Sequence, residues 1–239
     1  MNNIIEVDNL IKKYGKFTAV NGISFYVKKG EIFGLIGPNG AGKTSTLRVL
    51  STLLRITKGK VMISDYDLNK KPDEIRKIVS YLPEDAGAYK NLTGREYLEF
   101  IARFFDGKTE IAKTVSKGIK IADLGERIDD KVDTYSKGMK RRLLVGRALM
   151  INPMVAILDE PTSGLDVINA REIRHLIKEY ARRGTTILLS SHNMLEVDFL
   201  CDRIALIDEG IIVEKGRPDE LKKKYKAENI EEVFTKAVR

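Results

Sequence analysis

Ile32-Phe33-Gly34-Leu35-Ile36-Gly37-Pro38-Asn39-Gly40-Ala41-Gly42-Lys43-Thr44 is the stretch that decides how the rest of this sequence is read. A short apolar run of strand length enters a glycine cluster, and Thr44 to Leu54 then has helical composition. Gly37 to Thr44 fits GxxxxGK[ST], the phosphate-binding loop placed between a strand and a helix. Gly37, Gly40 and Gly42, with Pro38, Asn39 and Ala41 between them, let backbone N–H groups close on phosphates. The helix that follows, through Ser45, offers its positive N-terminus. Lys43 supplies a point charge for the β- and γ-phosphates, and the Thr44 hydroxyl can ligate Mg²⁺, so ATP and Mg²⁺ are the expected ligands.

Working outward, Ile23, Phe25 and Val27 alternate with Ser24, Tyr26 and Lys28, the pattern of a half-buried strand, and Met1 to Asp8 is strand-like as well. Downstream, Val155 to Leu158 is an apolar strand that delivers Asp159 and Glu160 at its C-terminal end, where α/β sheets place ligand sites. Adjacent acids after a strand are ordinarily a solvated turn. In a chain that also holds a phosphate loop they read as catalytic, Asp159 for Mg²⁺ and Glu160 to orient and deprotonate the attacking water.

Between these anchors, Thr93 and Glu96 have the spacing of a capping box, and Tyr97, Leu98, Ile101, Phe104 and Phe105 recur at helical intervals. Thr109 to Ala122 and Ser136 to Met150 also read as helices, so Asp85 to Met150 is a helical region with no strand pattern. After Leu158 the chain alternates. A helix from Asp166 to Arg183 precedes a strand at Thr185 to Leu189, and a helix from Asn193, capped with Glu196, precedes a strand at Ile204 to Ile207. Asp208-Glu209-Gly210 turns into Ile211 to Val213, and short charged helices follow Pro218. Strands alternating with helices predict an α/β fold with a mostly parallel sheet covered on both faces.

With 239 residues, 43% apolar and 32% charged, the composition suits one well-cored globular domain rather than a disordered or membrane-embedded chain. No apolar run approaches the roughly 20 residues that cross a bilayer. The balance of 42 Lys+Arg over 34 Asp+Glu, net +8, favours polyanionic partners without choosing among them. The first residues carry no signal-peptide pattern, which leads us to expect a cytoplasmic product. Cys201 is the single cysteine, which excludes an internal disulfide and a Cys-rich metal site, and it reads as a small core residue on a helix.

Taken in order, these segments resemble the ATP-binding cassettes of ABC transporters over essentially the whole chain. Tyr135-Ser136-Lys137-Gly138-Met139-Lys140-Arg141-Arg142 is similar to that family's LSGGQ signature, and Ser163-Gly164-Leu165-Asp166 to its D-loop. His192 sits where the family has its switch histidine and Tyr14 where it has an adenine-stacking aromatic, although a strand-end aromatic by itself usually packs. The resemblance implies a P-loop NTPase core with a mixed, mostly parallel sheet, an N-terminal antiparallel β region and an inserted helical subdomain. It divides the chain into a core of 1–84 and 151–217, a signature subdomain of 85–150 and a C-terminal helical extension of 218–239. It also implies a nucleotide site of Tyr14, Val20, Gly37 to Ser45 and Asp166, with Lys43, Glu160 and His192 catalytic.

Ser136 opens a helix, so its hydroxyl and the free N–H groups beside it form an anion site. In the resemblance, Ser136 and Gly138 act in trans on the γ-phosphate held by a second cassette, a homodimer being sufficient. Integral membrane permease subunits are the implied partners, with no nucleic acid, and the implied place is the cytoplasmic face of the membrane, bound peripherally.

Departures from the family pattern carry their own expectations. Tyr81-Leu82-Pro83-Glu84 matches the Q-loop except that Glu84 replaces glutamine. A carboxylate only accepts, and at about 4 Å from a phosphate its repulsion is of order 4 kcal/mol at an effective dielectric near 20. Mg²⁺ then has to mediate, which places Glu84 with Thr44 and Asp159 as a metal ligand and makes ATP binding strongly Mg²⁺-dependent. Lys137 replaces a signature glycine, and either adds charge at that helix end or points to solvent; both readings stay open. Met139, the basic run Lys140 to Arg142 and the ending Glu231 to Thr235 are similar to the bacterial and archaeal branch that exports drugs, lipids or polysaccharides. Import is the runner-up. A soluble cassette acting on nucleic acid or ribosomes would suit the charge, but the sequence shows no second cassette, long coiled coil or zinc-binding cysteines.

Overall fold

Strand β1 (Asn3–Tyr14) and strand β2 (Phe17–Lys28) form a long antiparallel hairpin that turns at Gly15, where φ is 57°. The computed structural model describes residues 3–105 and 111–238, apart from the side chain of Glu196. The start of the helix read from Thr109, the first two residues of the strand read from Met1 and the cap assigned to Glu196 therefore lie outside the described residues. The other edge of β1 pairs with β4 (Lys58–Ile63), which pairs in turn with β5 (Tyr66–Asp67), giving a four-stranded antiparallel sheet of order β2-β1-β4-β5. The alternation noted in the sequence buries Ile23, Phe25 and Val27 on one face, together with Ile5, Val7 and Leu10 of β1. That face packs on a second sheet, and the rings of Phe25 and Phe33 stack at 5.3 Å.

The second sheet is six-stranded. It consists of β3 (Ile32–Ile36), β6 (Val79–Leu82), β7 (Val155–Leu158), β8 (Thr186–Ser191), β9 (Arg203–Asp208) and β10 (Ile211–Gly216), in the order β10-β9-β3-β8-β7-β6. All its pairings are parallel except β10 with β9. Every residue of β3 and β7 is buried, as a sheet covered on both faces requires, and this is why those strands appear as unbroken apolar runs. The chain also forms α1 (Lys43–Leu50) and α2 (Pro72–Ile78), then α3 (Gly94–Ala102), α4 (Ile111–Ala122) and α5 (Lys137–Leu149) between β6 and β7. It finishes with α6 (Val167–Arg182), α7 (Met194–Leu200), α8 (Pro218–Tyr225) and α9 (Ile230–Val238).

In α3 the capping box is formed, Glu96 N donating to Thr93 Oγ1 at 3.1 Å and Thr93 N to Glu96 Oε2 at 2.8 Å. Such a cap is worth about 1 kcal/mol. It starts the helix that buries Tyr97 and Leu98 in the same apolar core as residues of α4 and α5.

Several elements depart from the sequence reading. Helix α1 ends at Leu50 rather than running to Leu54, because Thr52 takes a left-handed φ of 61° and the Leu53 and Leu54 N–H groups both turn back to Arg48 O. Helix α3 stops at Ala102 and leaves Phe104 exposed beyond it. The segment from β4 to α2 has no counterpart in the sequence reading; Lys58-Gly59-Lys60 shows no apolar alternation, and pairing with β1 decides its conformation. Cys201 is buried but lies just past α7, where its N–H donates to Val197 O. Burial, and then the charge of Asp202, hold its thiol well above the usual cysteine range.

Candidate functional site

Strand β8 lies between β3 and β7, and the parallel register brings their C-terminal ends level, Ile36 beside Ser191 and Leu158 beside Leu189. The glycine loop, the acid pair and the serines ending β8 therefore meet, although more than a hundred residues separate the loop from the acids. The loop has no room for side chains where it turns. A Cβ on Gly37 would stand 2.0 Å from Ile207 O, and one on Gly42, where φ is 101°, 2.4 Å from Ala19 O. Glycine is required at both positions.

Lys43 is buried, donating from Nζ to Gly37 O at 2.7 Å and Pro38 O at 3.1 Å. The same ammonium is 3.5 Å from Glu160 Oε1, and His192 Nδ1 is 2.9 Å from Glu160 Oε2. Glu160 is 4% exposed, and its Oε1 has no hydrogen-bond donor, so at that oxygen the Lys43 ion pair offsets the desolvation, while His192 meets Oε2. Its φ of 48° is left-handed, which costs a non-glycine residue roughly 1–2 kcal/mol and persists because tertiary contacts impose it. One such contact is Glu160 N donating to Ser190 Oγ at 3.0 Å.

Asp159 is held from several sides. Its Oδ1 accepts from Ser190 Oγ at 2.5 Å and Thr44 Oγ1 at 3.3 Å, while Oδ2 accepts from the Tyr81 hydroxyl at 3.3 Å. Burial, followed by the Asp159 charge, pushes the Tyr81 phenol up to about 12. The contact of a hydroxyl with a carboxylate beside a phosphate loop is a hard-oxygen donor set that fits Mg²⁺. Among the described residues no group of three or more His, Cys, Asp or Glu is gathered in a way that could hold a metal.

A cleft of about 410 Å³ opens over the loop, lined by loop residues with Tyr14, Phe17, Glu84 and Glu160. Tyr14 is half exposed, its hydroxyl 3.3 Å from Ser45 Oγ and Lys12 Nζ 5.0 Å from its ring centroid. Glu84 lines the cleft and accepts from Ser163 Oγ at 3.4 Å. Other expected residues lie elsewhere. Val20 is fully buried, packed beneath Gly42, and has no surface to offer a ligand. Asp166 caps α6, accepting from Ile168 N at 3.0 Å, Asn169 N at 2.9 Å and Asn169 Nδ2 at 2.6 Å. Those bonds, Asn169's foremost, hold its carboxyl below the usual range. Ser136 caps α5, accepting from Met139 N at 3.2 Å, and Gly138 lies against Asn169.

Sequence reasoning missed Phe17, Ser190 and Arg141. Phe17 flanks the same tight turn as Tyr14, which is a usable signal. Ser190 lies two residues before His192, whose position was singled out in the sequence. Arg141 gave no local signal of its contacts.

A family model described as "ABC transporter" matches residues 20–163, more than half of the chain. The chain is 39% identical over 220 residues to the linearmycin resistance ATP-binding protein LnrL of Bacillus subtilis, covering 91% of this chain and 70% of that one. It is 41% identical over 223 residues to a fluoroquinolones export ATP-binding protein of Mycobacterium tuberculosis, covering 92% and 72%. Its fold is similar to a solved ATP-binding subunit of an ABC transporter, with a TM-score of 0.87 and 27% identity over 99% of this chain and 100% of that one. It is also similar to a dimeric ATP-binding cassette in a post-hydrolysis state with ADP and Pi, with a TM-score of 0.78 and 27% identity over 89% and 98%.

Proposed function

This chain belongs to the ABC transporter family as an ATP-binding subunit that hydrolyses ATP, and from that premise we propose that it drives export through separate membrane subunits. The observation that carries the mechanism is the clamping of one buried carboxylate at the phosphate loop, Glu160 between Lys43 at 3.5 Å and His192 at 2.9 Å. A γ-phosphate in the loop draws the Lys43 ammonium away from that carboxylate. Glu160 then takes a proton from water as the water oxygen attacks the γ-phosphorus, and the bond to the bridging oxygen breaks, leaving ADP and phosphate. His192 orients the base through Nδ1 and, when its ring is charged, donates from Nε2 to the γ-phosphate. Mg²⁺ would be held by Thr44 and Asp159 with Glu84, and would supply positive charge against the charge that develops on the phosphates. Tyr14 stacks on the adenine, with Phe17 beside it. The transition state is rich in charge, so neutralising and positioning groups do most of the work.

The site is completed in this reading by Ser136 and Gly138 of a second copy, with Asp166 at the edge of the contact. Residues 1–84 and 151–217 form the ATPase core, 85–150 the subdomain that offers Ser136, and 218–239 a C-terminal extension. Among the described residues no helix is long and apolar enough to cross a membrane. In the function proposed, coupling to transport falls to permease subunits, with this chain peripheral on their cytoplasmic side. Relatives named for drug resistance and export support the outward direction. The decisive test is Glu160→Gln. It should bind ATP within about threefold of wild type, lose turnover by at least about 100-fold and accumulate a closed dimer on gel filtration. Near-normal turnover would refute Glu160 as the base.

A further inference from the structure

We propose that Arg141 is a positioning residue that ties the helix carrying Ser136 to the catalytic acid pair of its own chain. It lies in α5 just past the Ser136 cap and is 7% exposed. Its guanidinium donates to main-chain oxygens of two separate segments. Nε reaches Pro161 O at 2.8 Å, and Nη2 reaches Asp159 O at 2.9 Å and also Glu160 O. Nη1 reaches Glu84 O at 3.2 Å and Pro83 O at 3.4 Å. Consecutive carbonyls from Asp159 to Pro161 thus converge on one side chain, in the turn where Glu160 adopts its left-handed φ of 48°.

Only a rigid, planar, multi-donor fork can span these oxygens; a lysine ammonium is a compact point donor and a methionine has none. Burial pushes the guanidinium pKa down, with the charges of Glu84, Asp159 and Glu160 opposing that shift. Arginine nonetheless stays protonated in proteins, so a fixed positive charge stands behind the acid pair. The side chain of Glu160 is thereby aimed through its own backbone. A shift of α5, such as closure of its Ser136 end over a second copy's nucleotide, moves the Asp159-Glu160 peptide and the Glu84 carbonyl together. A displacement of about 1 Å at a reacting group is worth about 100-fold in rate.

This inference rests on the reading of Glu160 as base and Ser136 as the trans contact. It is tested in the full chain with Arg141→Met, Arg141→Lys, Arg203→Met and Glu160→Gln. Arg203 serves as the stability control, because it pairs with the buried Glu31 at 3.2 Å and lies outside the cleft. Both Arg141 variants should bind a fluorescent ATP analogue within about threefold of wild type, keep KM and lose about 100-fold in kcat. Arg203→Met should lower Tm and keep kcat within about threefold. Retention of kcat in Arg141→Lys overturns the proposal, since charge without the fork would then suffice. An equal kcat loss in Arg203→Met overturns it as well, because general destabilisation would explain both. If Arg141→Met does not fold, Arg141→Lys decides alone. Normal turnover in Glu160→Gln would instead remove the base assignment, a result separable from the Arg141 outcome.

Discussion

Two helix ends in this molecule face the same task of meeting an anion, and they are built differently. At the start of α1, Lys43 and Thr44 stand against Glu160 and Asp159, groups delivered by a strand more than a hundred residues away. At the start of α5, the Ser136 hydroxyl is engaged with its own helix, and no acidic residue occupies the first turn. The first end carries its counter-charges within one chain. The second is a local cap whose role, in the function proposed, begins only when another copy brings a phosphate to it.

Lys43→Ala is the strongest attempt to break this contrast. Removing one partner of a buried ion pair strands the other and costs about 3–5 kcal/mol. We expect a clear drop in stability by urea denaturation and a loss of ATP affinity of at least about 100-fold by nucleotide titration. Wild-type affinity in this variant would mean that the α1 end does not depend on its charges.

Ser136→Ala sharpens the contrast from the other side. Loss of the cap should lower stability by about 1 kcal/mol. ATP binding to the separate chain should be unchanged, while turnover falls at least about tenfold at every protein concentration. A parallel fall in binding and turnover would place Ser136 in its own chain's cleft and erase the distinction.

The smallest effect concerns Tyr81, whose hydroxyl donates to Asp159 Oδ2. An unfolded tyrosine ionises near pH 10, whereas Tyr81 keeps its proton up to about 12. The folded-state pKa is raised, so the Tyr81 contribution is complete below about pH 10 and is lost as pH rises towards 12. Tyr81→Phe should flatten the decline of stability across that window, measured by thermal melts at successive pH values. An unchanged slope would show that burial and the Asp159 charge together do not hold the Tyr81 proton.

What was legible in the sequence follows from range. The strand, glycine loop and helix around Gly37 to Thr44, the capping box at Thr93 and Glu96, and the apolar strand before Asp159 are written in spacings of a few residues. The β4 to α2 segment was not legible, because its partner is β1 and its own pattern is charge-rich. Val20 looked available to a ligand beside Tyr14, yet its place beneath Gly42 depends on how the hairpin meets the loop. The contacts of Arg141 were invisible for the same reason, since they join α5 to turns after β6 and after β7.

By itself, then, the sequence determined the phosphate loop, the acid pair, the alternation of strands and helices, and the family resemblance that comparison established as membership. Only the tertiary structure decided that Glu160 sits between Lys43 and His192, that Ser190 holds Asp159, and that one buried guanidinium gathers the carbonyls behind both acids. Local hydrogen bonding and side-chain periodicity act within a turn or a strand and so leave a readable pattern. The surroundings of a buried charge are set by the register of parallel strands far apart in the chain, and that register exists only once the sheet is formed.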